Sequence, residues 1–296
     1  MSLSDIIKHN RPNLSHSSVR TYISILNNLS KRIKCPELTK ECIIKHEQDI
    51  VKDLSDKPPR NRKTIYSALI VILDDGNHNK VLDKFRTLMM KDSEKTEEED
   101  AKQEKNTKQK DNWLEWSEVN KVYNDLESKV KPLFKLKSLS KSMIRMIQQY
   151  VMLSLFVKIK PRRTMDWIDF KLRNFDKTKD NYMEGNKLVF NSFKTKKYLG
   201  KQVIELPKDL KRIINEWSKI NTSDNLLVDT KGNPMNASKF TQELYNIFGK
   251  NISTNMLRHI YLSNLLKDTP ALLKLQENMK DMGQTNLKTQ LQYVKK

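Results

Sequence analysis

The chain of 296 residues contains only two cysteines, Cys35 and Cys42. Six residues lie between them and no second pair accompanies them, which argues against a zinc site. Two thiols in a chain of this length indicate a reducing compartment. No apolar run is long enough to span a membrane, and the first five residues lack the shape of a secretory signal. We therefore expect an intracellular protein that is not secreted and has no membrane partner.

Acidic residues are few relative to basic ones. The sequence has 36 Asp and Glu against 56 Lys and Arg, which gives a formal charge of +20 and a pI near 9.7. Such an excess attracts polyanions and predicts salt-dependent binding to nucleic acid. The same excess fits a generally lysine-rich protein from an AT-rich genome, because Asn and Ile are also abundant. Charge alone therefore leaves both explanations open.

Apolar residues are almost absent from residues 91–111, where Ala101 is the one weakly apolar side chain. A stretch of this composition cannot bury surface, so we expect a mobile tether or a solvated helical extension. The sequence therefore predicts a helical domain over residues 1–90, a charged linker over 91–111 and a second domain over 112–296. No repeat of 20–50 residues is visible.

Apolar side chains recur at helical spacing through most of both domains. The pattern is clear from Val19 to Ile33 and again from Met143 to Val157, which we expect to form the core of the second domain. The period changes at 187–193 and 202–206, which are typical of two short strands around a lysine-rich turn. Further helices are predicted at about 239–248, 254–266 and 270–282. The fold class expected is mainly α with a small antiparallel β-sheet (α+β).

Three cations, Arg60, Arg62 and Lys63, stand at the start of a predicted helix after Pro58-Pro59. Positive charge at a helix start opposes the helix dipole. These side chains either form a solvated helix end or contact the phosphates of a bound duplex.

Arg163 follows the predicted core helix in the segment Pro161-Arg162-Arg163-Thr164-Met165-Asp166. A guanidinium at the rim of a buried scaffold can hold a phosphate through its fork of N–H donors. On a helix, Asp166 would lie one turn from Arg163 and fix its rotamer. The alternative is an ordinary surface arginine with a neighbouring acid.

Lys194 lies in the turn between the two predicted strands. A lysine on a mobile loop can close on a phosphate and give a proton to a departing oxygen. The same turn holds three further lysines, and we count Lys196 and Lys197 as candidate DNA contacts. A solvated turn is the alternative.

The predicted helix over 254–266 places Asn255 and Arg258 on one face, with His259 partly around the helix. A histidine on a mostly apolar helix is more often a core residue than a catalyst. Tyr293 follows the last predicted helix. A phenol has an ordinary pKa near 10, so it attacks only if cations stabilise the phenolate or a base removes its proton.

In this order and spacing, the segments resemble the tyrosine recombinase, or phage-type integrase, family. Members carry an arginine in a first box, a lysine on a β-hairpin, a His-x-x-Arg box, a His or Trp, and a tyrosine nucleophile. The matching positions here are Arg163 with Asp166, Lys194, Asn255-x-x-Arg258-His259, Gln284 in Met282-Gly283-Gln284, and Tyr293 nine residues further on. The resemblance spans almost the whole chain, with residues 1–90 similar to the family's core-binding domain.

The resemblance implies a DNA strand transferase that cuts and rejoins double-stranded DNA through a 3′-phosphotyrosyl intermediate. It implies no metal or other cofactor, and a tetramer on DNA formed from free monomers or dimers. The composition suits a mobile element or a large DNA virus, which would place the protein in the host nucleus or cytoplasm. Two positions depart from the family, because Asn255 and Gln284 stand where members carry titrating or aromatic groups. An asparagine or a glutamine can donate a hydrogen bond but does not accept a proton near neutral pH.

Three other functions fit parts of the sequence. A type IB topoisomerase-like relaxing enzyme shares the same plan of active-site residues. A catalytically decayed DNA-binding protein would explain Asn255 and Gln284. A merely basic helical scaffold would show no steep fall of DNA affinity with salt.

Overall fold

The computed structural model describes residues 2–36, 38–76 and 79–266, and the chain divides into two compact units between Lys105 and Asn106. The molecule is mainly helical with one small antiparallel sheet, so the predicted α+β class is confirmed. The predicted helix at 270–282 lies outside the described residues, as do Gln284 and Tyr293. Within the described ranges, no helix has the length and apolar character needed to cross a bilayer.

The described residues of the first unit form six helices. They are α1 Leu3–Asn10, α2 His16–Arg32, α3 Lys40–Lys45, α4 Glu47–Leu54, α5 Pro59–Leu73 and α6 Lys80–Ala101. Helix α5 is buried on most sides from Ile65 to Leu73, and α1, α2, α3 and α6 pack against it. A helix that is apolar around most of its circumference needs such a covering, so α5 is the centre of this unit.

The charged segment that begins at residue 91 continues α6 as far as Ala101, in agreement with a helical extension and not with a mobile tether. It is not fully solvated, because Asp92 and Thr96 are buried in it. Asp92 accepts from Arg62, and Thr96 donates to the carbonyl of Asp92 at 2.7 Å. Composition alone could not predict this burial, because it depends on the packing of α6 against α5.

The two cysteines are joined in a Cys35–Cys42 disulfide with a Cα–Cα distance of 6.6 Å, which links the end of α2 to α3. The expectation of two free thiols is therefore wrong. The compartment inferred from those thiols loses its basis, and an intracellular location stays a prediction.

The described part of the second unit contains helices and a three-stranded sheet. Its helices are α7 Thr107–Asn112, α8 Trp116–Val130, α9 Lys141–Val157, α10 Lys196–Leu199, α11 Lys208–Ile220, α12 Ala237–Phe248 and α13 Thr254–Leu266, with 3-10 turns at Leu133–Lys135 and Thr164–Asp166. Helix α9 is buried almost continuously from Ile147 to Phe156 and contacts α8, α11 and α12. The prediction that it forms the core of this unit is confirmed.

The sheet has the order β1-β2-β3, with β1 Tyr182–Glu184, β2 Lys187–Phe190 and β3 Gln202–Glu205. Both pairs are antiparallel, and Leu188 of β2 faces Ile204 of β3. The strands β2 and β3 confirm the two predicted strands, although each is shorter than expected. Strand β1 was not predicted. Gly185, with φ at +61°, and Asn186 form the two-residue turn that joins β1 to β2, and this pair is a recognised hairpin signal.

Candidate active site

The segment after α9 carries a buried ion pair between Arg162 and Asp166. Arg162 Nε donates to Asp166 Oδ2 at 2.9 Å, and the two side chains are only 14% and 3% exposed. The expected pairing of Asp166 with Arg163 is therefore wrong. Arg163 precedes the 3-10 turn in an extended conformation (φ −74°, ψ 153°), so the helical spacing assumed for that pair does not exist.

Arg162 also connects this segment to the sheet. Its guanidinium carbon lies 3.8 Å from the ring centroid of Phe190 at the end of β2, and 5.4 Å from that of Phe193. Its Nη1 donates to the side-chain oxygen of Gln202, the first residue of β3, at 2.9 Å. One partly buried side chain thus contacts both ends of the loop that joins β2 to β3. In the sequence, the signal for the Arg162–Asp166 pair was the acid that follows the first of two adjacent arginines by four residues.

Burial sets the titration of this pair. It lowers the pKa of the Arg162 guanidinium, and the positive charges of Arg163 and Arg258 lower that pKa further, against the opposing effect of Asp166. Burial also raises the pKa of Asp166, against the opposite effect of Arg162. Because Arg163 and Arg258 both act on the same guanidinium, three positive charges lie close together in this part of the unit.

A second contact brings the two predicted arginine boxes together. The hydroxyl oxygens of Thr164 and Thr254 are 2.8 Å apart, which places the 3-10 turn beside the first residue of α13. Arg258 follows Thr254 by four residues and therefore lies on the same helix face, one turn further. Arg163 adjoins Thr164 in the chain. The contact thus brings together the two segments that carry Arg163 and Arg258, which are 95 residues apart in the sequence.

Both arginines are half-buried, and neither forms an ion pair with a described residue. Arg163 makes no side-chain hydrogen bond within the described ranges, whereas Arg258 makes a long one, 3.4 Å from its Nη1 to Asn255 Oδ1. Two guanidinium groups on neighbouring segments, neither in an ion pair with a described carboxylate, favour the binding of an anion with several oxygens.

Helix α13 places Asn255, Arg258 and His259 side by side, as the sequence predicts for the first two. The side-chain nitrogen of Asn255 lies 3.3 Å from Nε2 of His259, one turn further along the helix. His259 is exposed, so the interpretation of this histidine as a core residue is wrong. The reason is its position on the side of α13 opposite to the buried Leu257 and Ile260.

Lys194 is exposed in the turn after β2. It adjoins Phe193, whose ring centroid lies 5.4 Å from the Arg162 guanidinium carbon. Lys196 and Lys197 are exposed on the single helical turn α10 that follows. None of these three lysines forms an ion pair with any residue that the structure describes. They remain available to an external anion.

The three candidate DNA contacts of the first unit, Arg60, Arg62 and Lys63, differ in exposure and in their partners. Arg62 is bound inside the unit. It makes three side-chain hydrogen bonds to Asp92, through Nε and Nη2, and donates through Nη1 to the carbonyls of Ser55 and Lys57. This corrects its expected role as a phosphate contact. Arg60 is exposed and pairs with Asp100 at 2.6 Å, and Lys63 is half-buried.

Two predicted site residues, Gln284 and Tyr293, lie outside the described residues, so the site consists here of Arg163, Arg258, Asn255, His259 and Lys194. No group of three or more His, Cys, Asp or Glu side chains able to hold a metal ion occurs among the residues that the structure describes. The comparisons with known proteins gave no similarity. No family model, no curated protein and no solved structure matches this chain.

Proposed function

We propose that this chain is a site-specific DNA recombinase or integrase of the tyrosine recombinase type. The observation that supports the proposal is the meeting of Arg163 and Arg258, two half-buried guanidinium groups without a carboxylate partner among the described residues. The resemblance in the sequence assigns the first and second arginine of a phosphodiester site to these two positions. Nothing in the sequence resemblance required the hydroxyl contact between Thr164 and Thr254 that joins them.

The proposed reaction is a transfer of a phosphodiester bond to a tyrosine. Arg163 and Arg258 hold the non-bridging oxygens of the scissile phosphate and stabilise the charge that develops on them. The phenolic oxygen of Tyr293 attacks phosphorus and forms a 3′-phosphotyrosyl link, while the bond from phosphorus to the 5′ oxygen breaks. Lys194 donates a proton to that leaving oxygen. Asn255 and Gln284 donate hydrogen bonds to the phosphate. The reaction then runs in reverse with a 5′ hydroxyl from another strand.

The phenol must lose its proton, and neither Asn255 nor Gln284 can accept it near neutral pH. His259 supports activity despite these two departures, because its exposed imidazole is in contact with the Asn255 side chain at 3.3 Å. We assign His259 as the base that receives the phenol proton. The nearby guanidinium groups assist by favouring the phenolate.

Double-stranded DNA is the proposed partner, because the chain carries a formal charge of +20 and its exposed lysines near the site lack partners within the described chain. Binding should weaken steeply with salt. Exchange of strands between two duplexes would require four protomers. A mobile element or a large DNA virus is the source we propose, with action inside the cell.

Covalent trapping tests the mechanism. A duplex nicked close to the cleaved phosphate loses the short 5′-hydroxyl strand after attack, so the enzyme remains linked to DNA. Incubation with a pool of nicked duplexes should give a protein–DNA adduct that survives denaturation. Tyr293→Phe should abolish the adduct, whereas Tyr245→Phe, a matched change at an exposed tyrosine on α12, should leave it intact. His259→Gln should slow adduct formation.

The same assay separates the other functions. An adduct that survives Tyr293→Phe would refute the proposed nucleophile. Tight, salt-sensitive DNA binding with no adduct at any pH would favour a catalytically decayed DNA-binding protein, for which Asn255 and Gln284 are the supporting residues. Relaxation of supercoiled DNA by monomers without site preference would favour a topoisomerase-like enzyme.

A further inference from the structure

The loop between β2 and β3, residues 191–201, carries two exposed apolar side chains at its tip. Tyr198 is 83% exposed and the adjacent Leu199 is 59% exposed, both on the single turn α10. Single exposed apolar residues are common on protein surfaces. Here an aromatic ring and a leucine are adjacent and exposed on one helical turn, and such a grouping indicates a contact surface.

The tip stands on a fixed base. Asn181 is buried, and its side chain makes four hydrogen bonds that join the loop's first residues, Asn191 and Ser192, to the carbonyl of Asp166. At the other end, Gln202 accepts from Arg162 at 2.9 Å. Such a base determines where the apolar tip is presented, because both ends of the loop are connected to the segment that follows α9.

Charge identifies the partner that the tip fits. The loop contains no acidic residue, and its four lysines, Lys194, Lys196, Lys197 and Lys201, are exposed without ion pairs to described residues. An apolar tip inside a ring of positive charge is poorly suited to an apolar protein surface, because each lysine would lose hydration without gaining a counter-charge. Duplex DNA offers phosphates at the rim and flat apolar base faces between them.

We propose that Tyr198 and Leu199 form a wedge that enters the bound duplex and separates two stacked base pairs, while the surrounding lysines contact the phosphates. Apolar wedges that open a base step and bend the helix are a known means of DNA deformation. The ring of Tyr198 supplies the stacking surface, so its hydroxyl is not required. This inference rests on the proposed function for its DNA partner, but not on cleavage.

Permanganate oxidation measures the opening directly, because it attacks thymines that have lost their stacking. The probe is an alternating dA-dT duplex, which presents the same flexible steps in every register and needs no known target site. Full-length protein is added until fluorescence anisotropy shows complete binding, and oxidised thymines are then mapped. Wild-type protein should raise thymine oxidation above the level of the free duplex.

Variants of the tip decide the question. Tyr198→Ala should return oxidation to the level of the free duplex at the same DNA occupancy, and Tyr198→Phe should keep the wild-type level. Tyr245→Ala, an exposed tyrosine on α12, is the matched control and should also keep it. Lys196→Gln should reduce the slope of log affinity against log salt by about one, whereas Tyr198→Ala should leave that slope unchanged.

Two results would overturn the wedge. One is equal thymine oxidation with wild type and Tyr198→Ala at full occupancy, and the other is no oxidation above the free duplex with bound wild type. Failure of the proposed function looks different. It appears as a missing Tyr293 adduct while the permanganate signal persists, whereas absent DNA binding would remove the partner on which both proposals depend.

Discussion

Arg162→Gln should destabilise the second unit far more than the loss of an ordinary surface arginine. Arg162 is 14% exposed, pairs with an Asp166 that is 3% exposed, and lies 3.8 Å from the Phe190 ring centroid. Removing one member of a buried ion pair costs about 3–5 kcal/mol, because the remaining charge is left without its partner. The lost cation–π contact overlaps with this cost, so we expect a total of about 3–5 kcal/mol.

Urea denaturation followed by tryptophan fluorescence measures this loss in the full chain. All four tryptophans belong to the second unit, namely Trp113, Trp116, Trp167 and Trp217. Their signal therefore reports the unfolding of that unit alone. With a urea dependence of about 1–3 kcal/mol per molar, the midpoint should fall by at least about 1 M.

Arg145→Gln is the matched control in the same unit. Arg145 pairs with Glu243 at 2.8 Å, but its side chain is 51% exposed, so the loss should be about 1 kcal/mol or less. The double variant Arg162→Gln/Asp166→Asn should recover part of the loss, because both buried charges are then removed. A loss for Arg162→Gln no larger than that for Arg145→Gln would refute the argument that burial makes this pair strong.

Two further predictions concern other ion pairs. Arg62→Gln should lower the helical circular-dichroism midpoint of the first unit by breaking its pair with Asp92, and it should leave the tryptophan transition unchanged; a shifted tryptophan transition would contradict the assignment. Burial raises the pKa of Glu127, but hydrogen bonds from Tyr150 and Lys131 more than offset this and hold that pKa below its ordinary value of 4.5. Its contribution to stability is therefore present above about pH 4.5 and is lost as the pH falls through the lowered pKa. Glu127→Gln should flatten the fall of the urea midpoint on acidification, and an unchanged pH dependence would contradict this.

Much of the helical architecture could be predicted because the spacing of apolar residues along the chain indicates a helix directly. The predicted span 254–266 coincides with α13, and the apolar run from Met143 to Val157 lies within α9. Strand β1 escaped prediction because three residues carry too little alternation to be recognised, and only the Gly185-Asn186 turn signalled a hairpin. The disulfide escaped because spacing alone does not say whether two cysteines face each other.

In the candidate site too, local geometry could be predicted from the sequence and long-range pairing could not. The sequence placed Asn255 and Arg258 on one helix face, because a three-residue separation fixes that geometry wherever the helix packs. It assigned Asp166 to the wrong arginine, because the choice between Arg162 and Arg163 depends on where the chain leaves the helix.

The sequence by itself determined the excess of positive charge, the apolar faces of the helices and the order of the candidate site residues along the chain. These properties depend on composition and on neighbours within one or two turns. The tertiary structure decided which cations are buried and which remain available. Arg162 is partly buried against Phe190 and Gln202, and Arg62 is partly buried beside Asp92, all about 30–40 residues away. Burial and charge pairing at such separations follow from packing, which no local pattern of residues encodes.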